Sequence, residues 1–144
     1  MKANELMIDD WVECVDSTHK KKVYSQIDAI EEGQTCILVR LDNSNWFLDI
    51  SFIKPIPLTP EILEQNGFIY EPNSEEKDDG WWNWKAIGVS TGNEYVNIAF
   101  RGDNVAVYDL EIMKGFNSGT LHLDFIHQLQ HSLRLFGIEK EIIL

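Results

Sequence analysis

Cysteine is scarce: Cys14 and Cys36 are the only two, with 21 residues between them and no Cys-x-x-Cys spacing. Neither a disulfide framework nor a zinc knuckle is indicated, and both cysteines, set in strand-like runs, read as small buried hydrophobes. Long apolar runs are missing as well, since nowhere do about 18 consecutive apolar residues provide a bilayer-spanning helix. The opening Met1–Asp10 lacks the apolar stretch of a secretory signal, so the cytoplasm is the expected location. Positive charge is in deficit throughout. Six basic residues face ten acidic ones over residues 1–56 (net −4), and six face fourteen over residues 57–144 (net −8), for −12 in all. Nucleic-acid binding begins with phosphate neutralisation by Lys and Arg, so direct binding of DNA, RNA or anionic lipid is disfavoured. The excess acid serves solubility; in a sharper reading it mimics a phosphate backbone and occupies a DNA-binding protein. No phosphate-cradling Gly-rich loop, Gly-x-Ser-x-Gly elbow or Cys/His nucleophile pair can be assembled, and no internal repeat is visible.

What is present favours a folded chain. Hydrophobic residues make up 44% of the 144, and sixteen are Phe, Tyr or Trp, enough apolar surface to offset chain entropy. Residues 8–56 read as strands at Trp11–Val15, Val23–Ile30, Gln34–Leu41 and Asn45–Ile53, punctuated by Asp16-Ser17-Thr18, Glu32-Gly33 and Asp42-Asn43-Ser44. Short strands so closely spaced predict a small, bent β-barrel of SH3-like type, with an open meander as the alternative. Lys20-Lys21-Lys22 falls at a turn.

The segment from Pro55 to Phe68 carries a sharp helix signal. Thr59 caps the first amides, Pro60 suits the first helical position and Glu61 complements the helix dipole. Gly67 supplies the left-handed residue that ends the helix after Asn66, Leu58 against Leu63 forms a staple, and Phe68 folds back on Leu63. Pro55 and Pro57 make this a stiff joint between subdomains at 1–56 and 57–144.

Beyond Phe68-Ile69-Tyr70, the acid-, Pro- and Asn-rich Glu71–Gly80 reads as the most mobile loop. Trp82–Ser90, Glu94–Phe100 and Val105–Ile112 alternate as antiparallel strands, with Val96, Ile98 and Phe100 on one face and a hairpin turn at Arg101-Gly102-Asp103-Asn104. That Arg-Gly-Asp reads as a turn and not as an integrin signal. Asp124–Phe136 places Phe125, Ile126, Leu129, Leu133 and Phe136 at helical spacing before Gly137, giving an amphipathic helix over the sheet. Ile138–Leu144 is then a short final strand or a tail that docks on a neighbour. The fold class is α+β.

Two constellations bear on chemistry. His127-Gln128-Leu129-Gln130-His131 sets two His at i and i+4, as in zinc proteases, but Gln128 stands where the general base Glu is needed and cannot take a proton. At about 100° per residue, His127, His131 and Arg134 fall opposite the Leu129/Leu133 stripe and face solvent or a partner. A metal site needs a third ligand, with His122 or an acid as the candidates, and the plain reading is a polar helix face. Trp81, Trp82 and Trp84 form the second constellation, filling the core or stacking on a partner. Paired acids such as Asp9-Asp10 and Glu75-Glu76 sit at expected turns.

The runs Asn4–Val12, Ile56–Phe68 and His127–His131 resemble a family of uncharacterised proteins from Bacteroides-type gut bacteria, their phages and mobile elements. The likeness covers the start, middle and end of the chain and leaves out Tyr70 to about Gly119. In relatives the ending often reads His-x-Leu-Gln, which His127, Leu129 and Gln130 fit, while some carry Asn where His131 stands. The resemblance implies a cytoplasmic accessory or phage-related protein and brings no activity, cofactor or catalytic residue.

These observations point to a non-enzymatic protein-binding or adaptor module, with another protein or a second copy as partner and no cofactor. Trp81, Trp82, Trp84, His127, His131 and Arg134 are its candidate binding surface. The alternatives are an acidic DNA mimic, and a hydrolase or metal-binding protein using the His127/His131 face.

Overall fold

The alternation of Trp11–Val15 becomes strand β1 in a computed structural model of the chain. Residues 5–15, 21–34, 36–42, 44–72, 79–85, 94–101, 107–114 and 117–144 are described; of 79–85, 94, 95, 100, 101, 107, 112–114, 117 and 118 the description covers the backbone alone. The chain divides into two compact units, Met1–Ile56 and Pro57–Leu144. Together they form a mostly β, α+β protein with two antiparallel sheets.

In the first unit β1 is followed by β2 (Lys22–Glu32), β3 (Ile37–Leu41), β4 (Phe47–Asp49) and β5 (Ile53–Pro55), in the spatial order β4-β3-β2-β1-β5. The eleven-residue β2 serves both sides of this sheet. Its first half pairs with β1, and past a register shift between Ile27 and Ala29 its second half pairs with β3. Such a bulge bends a strand and increases its twist, which curls the sheet around Leu6, Val12, Ile27, Val39, Leu41 and Ile53. Each of these buried side chains contributes about 1.5–3 kcal/mol. The entry to β1 is a tight turn in which Asp9 takes φ 67°. The fully buried Asp10 carboxylate accepts the Met7 amide at 2.8 Å, while Asp9 N–H donates to Ile27 O at 2.7 Å.

Two expectations change here. The single strand over Asn45–Ile53 is broken by a 3-10 turn at Ile50–Phe52, because the Asp49 side chain accepts the Ser51 amide at 2.8 Å and turns the backbone out of the sheet. Cys14 and Cys36 are half-buried, not fully buried; Cys14 lies at the edge of the core, where β1 leaves it. The Asp16-Ser17-Thr18 turn and Lys20 lie outside the described residues.

The second unit opens with α1 (Pro60–Gln65), capped as its sequence predicts: Thr59 Oγ1 accepts the Ile62 amide at 3.4 Å, and Pro60 begins the helix. Gly67 at φ 75° ends it, with Gly67 N–H donating to Glu64 O at 2.9 Å and Phe68 N–H to Leu63 O at 3.0 Å. Leu58, Leu63 and Phe68 are all buried. A five-stranded meander follows: β6 (Ile69–Pro72), β7 (Asp79–Lys85), β8 (Glu94–Arg101), β9 (Val107–Lys114) and β10 (Asn117–Leu123).

Only the middle three strands were expected. The stretch Glu71–Gly80, expected to be a loop, is strand at both ends, with Glu71 opposite Trp81 and Pro72 opposite Gly80; residues 73–78 lie outside the described residues. β10 begins with the polar Asn117-Ser118-Gly119-Thr120, which carries no apolar alternation. Its compensation is distant in sequence, since a Cβ on Gly119 would lie 2.8 Å from the Phe136 ring, so that ring packs directly on the glycine backbone. Val96 and Ile98 are fully buried as expected, while the Phe100 side chain and residues 102–104 of the expected hairpin turn lie outside the described residues.

Helix α2 (Ile126–Leu135) buries Ile126, Leu129 and Leu133 and packs against β10. It starts after Phe125 because Gln128 Oε1 accepts both the Asp124 amide at 2.7 Å and the Phe125 amide at 3.0 Å. Gly137 at φ 64° closes it with the same pair of bonds as at α1, to Arg134 O and Leu133 O, each 2.9 Å. The entries to the two helices are tied together: Pro57 bridges Phe125, and Leu58 N–H donates to Asp124 O at 3.0 Å.

Ile138–Leu144 is not a strand; it packs on its own chain, with Ile138 and Ile142 buried. The buried Asn66 side chain holds it as a peptide group would. Asn66 Oδ1 accepts the Ile143 amide at 2.8 Å, and Asn66 Nδ2 donates to Ile143 O at 2.9 Å and to Ile62 O at 2.8 Å. Lys140 Nζ lies 5.5 Å from the Phe68 ring centroid, and burial lowers the pKa of that ammonium below its ordinary value. No helix among the described residues is long and apolar enough to cross a membrane.

Candidate functional site

Of the residues that the sequence grouped, the structure brings His127 and His131 into ring contact. Trp81, Trp82 and Trp84 lie on β7, paired with Ala99, Ile98 and Val96 of β8, and their side chains lie outside the described residues. Arg134 is exposed on α2 and His131 half-exposed, but His127 is only 3% exposed, which corrects the expectation that all three share an open face. Helical side chains lean toward the N-terminus, so a first-turn residue lies over the chain that precedes the helix. Here that chain is Phe125, whose ring stacks on His127 at 5.7 Å and 11°, with His131 edge-on to His127 at 5.7 Å.

His122, the candidate third ligand, is placed elsewhere. Its Nδ1 lies 3.3 Å from Asp109 and its Nε2 3.2 Å from Asp124, an exposed link between β9, β10 and the start of α2. Among the described residues no group of three or more His, Cys, Asp or Glu is arranged to hold a metal ion. Gln128, which stands where a zinc protease has its general base, is occupied by two backbone amides.

A better-formed surface lies in the first unit, around β4. Trp46, just before the strand, is 72% exposed, and Phe52, in the 3-10 turn after it, is 67% exposed. Both sit on fixed backbone. Ser44 Oγ donates to Trp46 O at 2.9 Å and accepts the Trp46 amide at 3.2 Å, closing a tight local turn. Asp49 caps the 3-10 turn that carries Phe52, and the hydrogen bond from the Ser51 backbone, helped by the side chains of Ser51 and Cys36, holds its pKa below the usual value. Between them in sequence, Phe47 receives the Arg40 guanidinium 5.6 Å from its ring centroid, and Arg40 Nε bonds Asp28 at 2.8 Å. Those bonds fix a row across β2, β3 and β4.

Large aromatics on rigid backbone give contact area at little cost in conformational entropy, which suits them to anchor a partner. The sequence hid this surface because one continuous strand over 45–53 would place Trp46, Leu48, Ile50 and Phe52 on a single face. Leu48 and Ile50 do pack on the core. Phe52, within the 3-10 turn, is exposed instead, and Trp46 lies beyond the end of the paired ladder. Comparison of the chain with protein-family models, with curated proteins and with solved structures finds no match.

Proposed function

We propose that this chain is a non-enzymatic protein-binding module, a cytoplasmic accessory protein of the bacterial and phage type it resembles, that grips its partner with Trp46 and Phe52. The carrying observation is the pair of exposed aromatics, each on a hydrogen-bonded turn, at the two ends of β4. An SH3-like barrel for residues 1–56 is part of the proposal. It is supported by the order β4-β3-β2-β1-β5, by the bent β2 shared between β1 and β3, and by the 3-10 turn between the last two strands. With net charge −4 over those residues, the complementary partner presents basic residues around an apolar contact.

Capture from the native host by wild-type chain, by the Trp46→Ala/Phe52→Ala double variant and by a His131→Ala/Arg134→Ala variant tests the assignment. Loss of one basic protein from the first variant alone is expected. Retention of every partner by that variant, with loss from the second, moves the surface to α2 and overturns it. The DNA-mimic alternative predicts a DNA-binding partner that duplex DNA displaces. The hydrolase or metal alternative calls for an open His127/His131 face, whereas His127 is buried against Phe125.

A further inference from the structure

We infer that the end of α1 is a docking groove for an extended segment, filled in cis by Lys140–Leu144, and that a second copy of the chain can supply the same segment in trans. The groove has a built specificity. The Asn66 carboxamide reads the backbone at Ile143 through one donor and one acceptor, Ile142 is buried, and the Phe68 ring receives Lys140. Because Asn66 meets Ile143 and Phe68 meets Lys140, the segment runs antiparallel to the chain entering β6, the edge strand of its sheet. Backbone-directed bonds combined with alternate side-chain contacts are how sheet edges take up extended peptides.

The connection to α2 contains a hinge. Ile138 stays with the helix, its N–H bonded to Leu133 O, whereas Lys140 N–H donates back to Ile138 O at 2.9 Å and makes a three-residue turn about the exposed Glu139. Straightening that turn releases Lys140–Leu144 without disturbing the α2 cap. The one segment known to fit the groove is this one, so the occupant in trans is the tail of another copy, and exchange of identical elements leaves the docking contacts unchanged. The covalent tether favours the closed monomer at low concentration. With −12 on each copy, exchange should also increase with ionic strength.

Complementation tests this without relying on the wild-type equilibrium. Asn66→Ala keeps the tail and loses the clamp; Ile142→Asp keeps the clamp and spoils the tail. Light scattering behind size exclusion should find each variant monomeric alone, and their equimolar mixture should contain a mass of two chains, at least tenfold above the dimer in either single sample. The free peptide Lys140–Leu144 should bind the Ile142→Asp chain and not the Asn66→Ala chain. A monomeric mixture, or equal peptide binding by both variants, overturns the inference. Should either variant fail a circular-dichroism check of folding, wild-type chains with two isotope labels decide instead. Concentrated together in high salt, they should show inter-chain cross-peaks between Phe68 and Lys140, and their absence is equally fatal.

Discussion

Single residues carry much of the local structure, and the legible ones are those whose backbone demands are strict. Gly67 is the clearest: at φ 75° with nothing within 4 Å of an added Cβ, its requirement is purely conformational. A Gly67→Val variant should lose about 1–2 kcal/mol in urea denaturation, the cost of left-handed backbone for an L-residue, and Gly67→Ala should lose most of the same amount. Equal stability of wild type and valine variant would refute the cap. Thr59 and Pro60 were legible for the same reason, because capping chemistry is local. Tyr108 was not. Burial, with the charge of Glu61 adding to it, pushes its phenol from 10.0 up to about 12. Below pH 10 the group is protonated in folded and unfolded chains alike. Between pH 10 and about 12 the unfolded chain gives up that proton and the folded one keeps it, so stability falls as pH rises through this window. Thermal melts over that range should fall less steeply for Tyr108→Phe; identical slopes would show that Tyr108 does not contribute.

At the scale of elements, strands with apolar alternation were readable and those supported by remote packing were not. β1 was legible to the residue, and α1 to its caps. β10 was hidden because Phe136, on the far side of α2, fills the space above Gly119. The break between β4 and β5 was hidden because it depends on one side chain, Asp49, folding back on the Ser51 amide. Removing that acceptor in Asp49→Ala should cost about 0.5–2 kcal/mol, as for other capping residues. It should also change the environment of Phe52, read as a shift of its ring resonances in NMR. Unchanged resonances would mean that the turn holds without its cap. The candidate site was illegible for the same reason, as Trp46 and Phe52 read as core only in a continuous strand. On α2 the wheel placed Arg134 correctly and His127 wrongly, because a wheel ignores the chain that precedes the first turn.

For the whole molecule, the fold draws on apolar burial and side-chain clamps within each unit. Chelation with EDTA is therefore expected to leave the thermal midpoint unchanged. A fall in midpoint restored by added zinc would reveal a structural ion. Asn66 gives the molecule something further, an age. It precedes Gly67, and in an Asn-Gly pair the glycine nitrogen can attack the carboxamide carbon, expelling ammonia and closing a succinimide that water opens to aspartate or isoaspartate. Folding obstructs this reaction at both ends, since Gly67 N–H is bonded to Glu64 O and Asn66 Nδ2 is bonded to Ile62 O and Ile143 O. Each opening of the tail lifts part of that obstruction. Conversion then replaces a donor by a carboxylate facing two carbonyl oxygens, so a deamidated chain cannot close its tail as before. Peptide mapping of protein stored at neutral pH should find deamidation at Asn66 faster in Ile142→Asp than in wild type, and equal rates would mean that the docked tail does not protect it. Stored protein would then divide into chains with closed tails and chains whose tails have been irreversibly loosened, in a proportion that records how often each tail has opened.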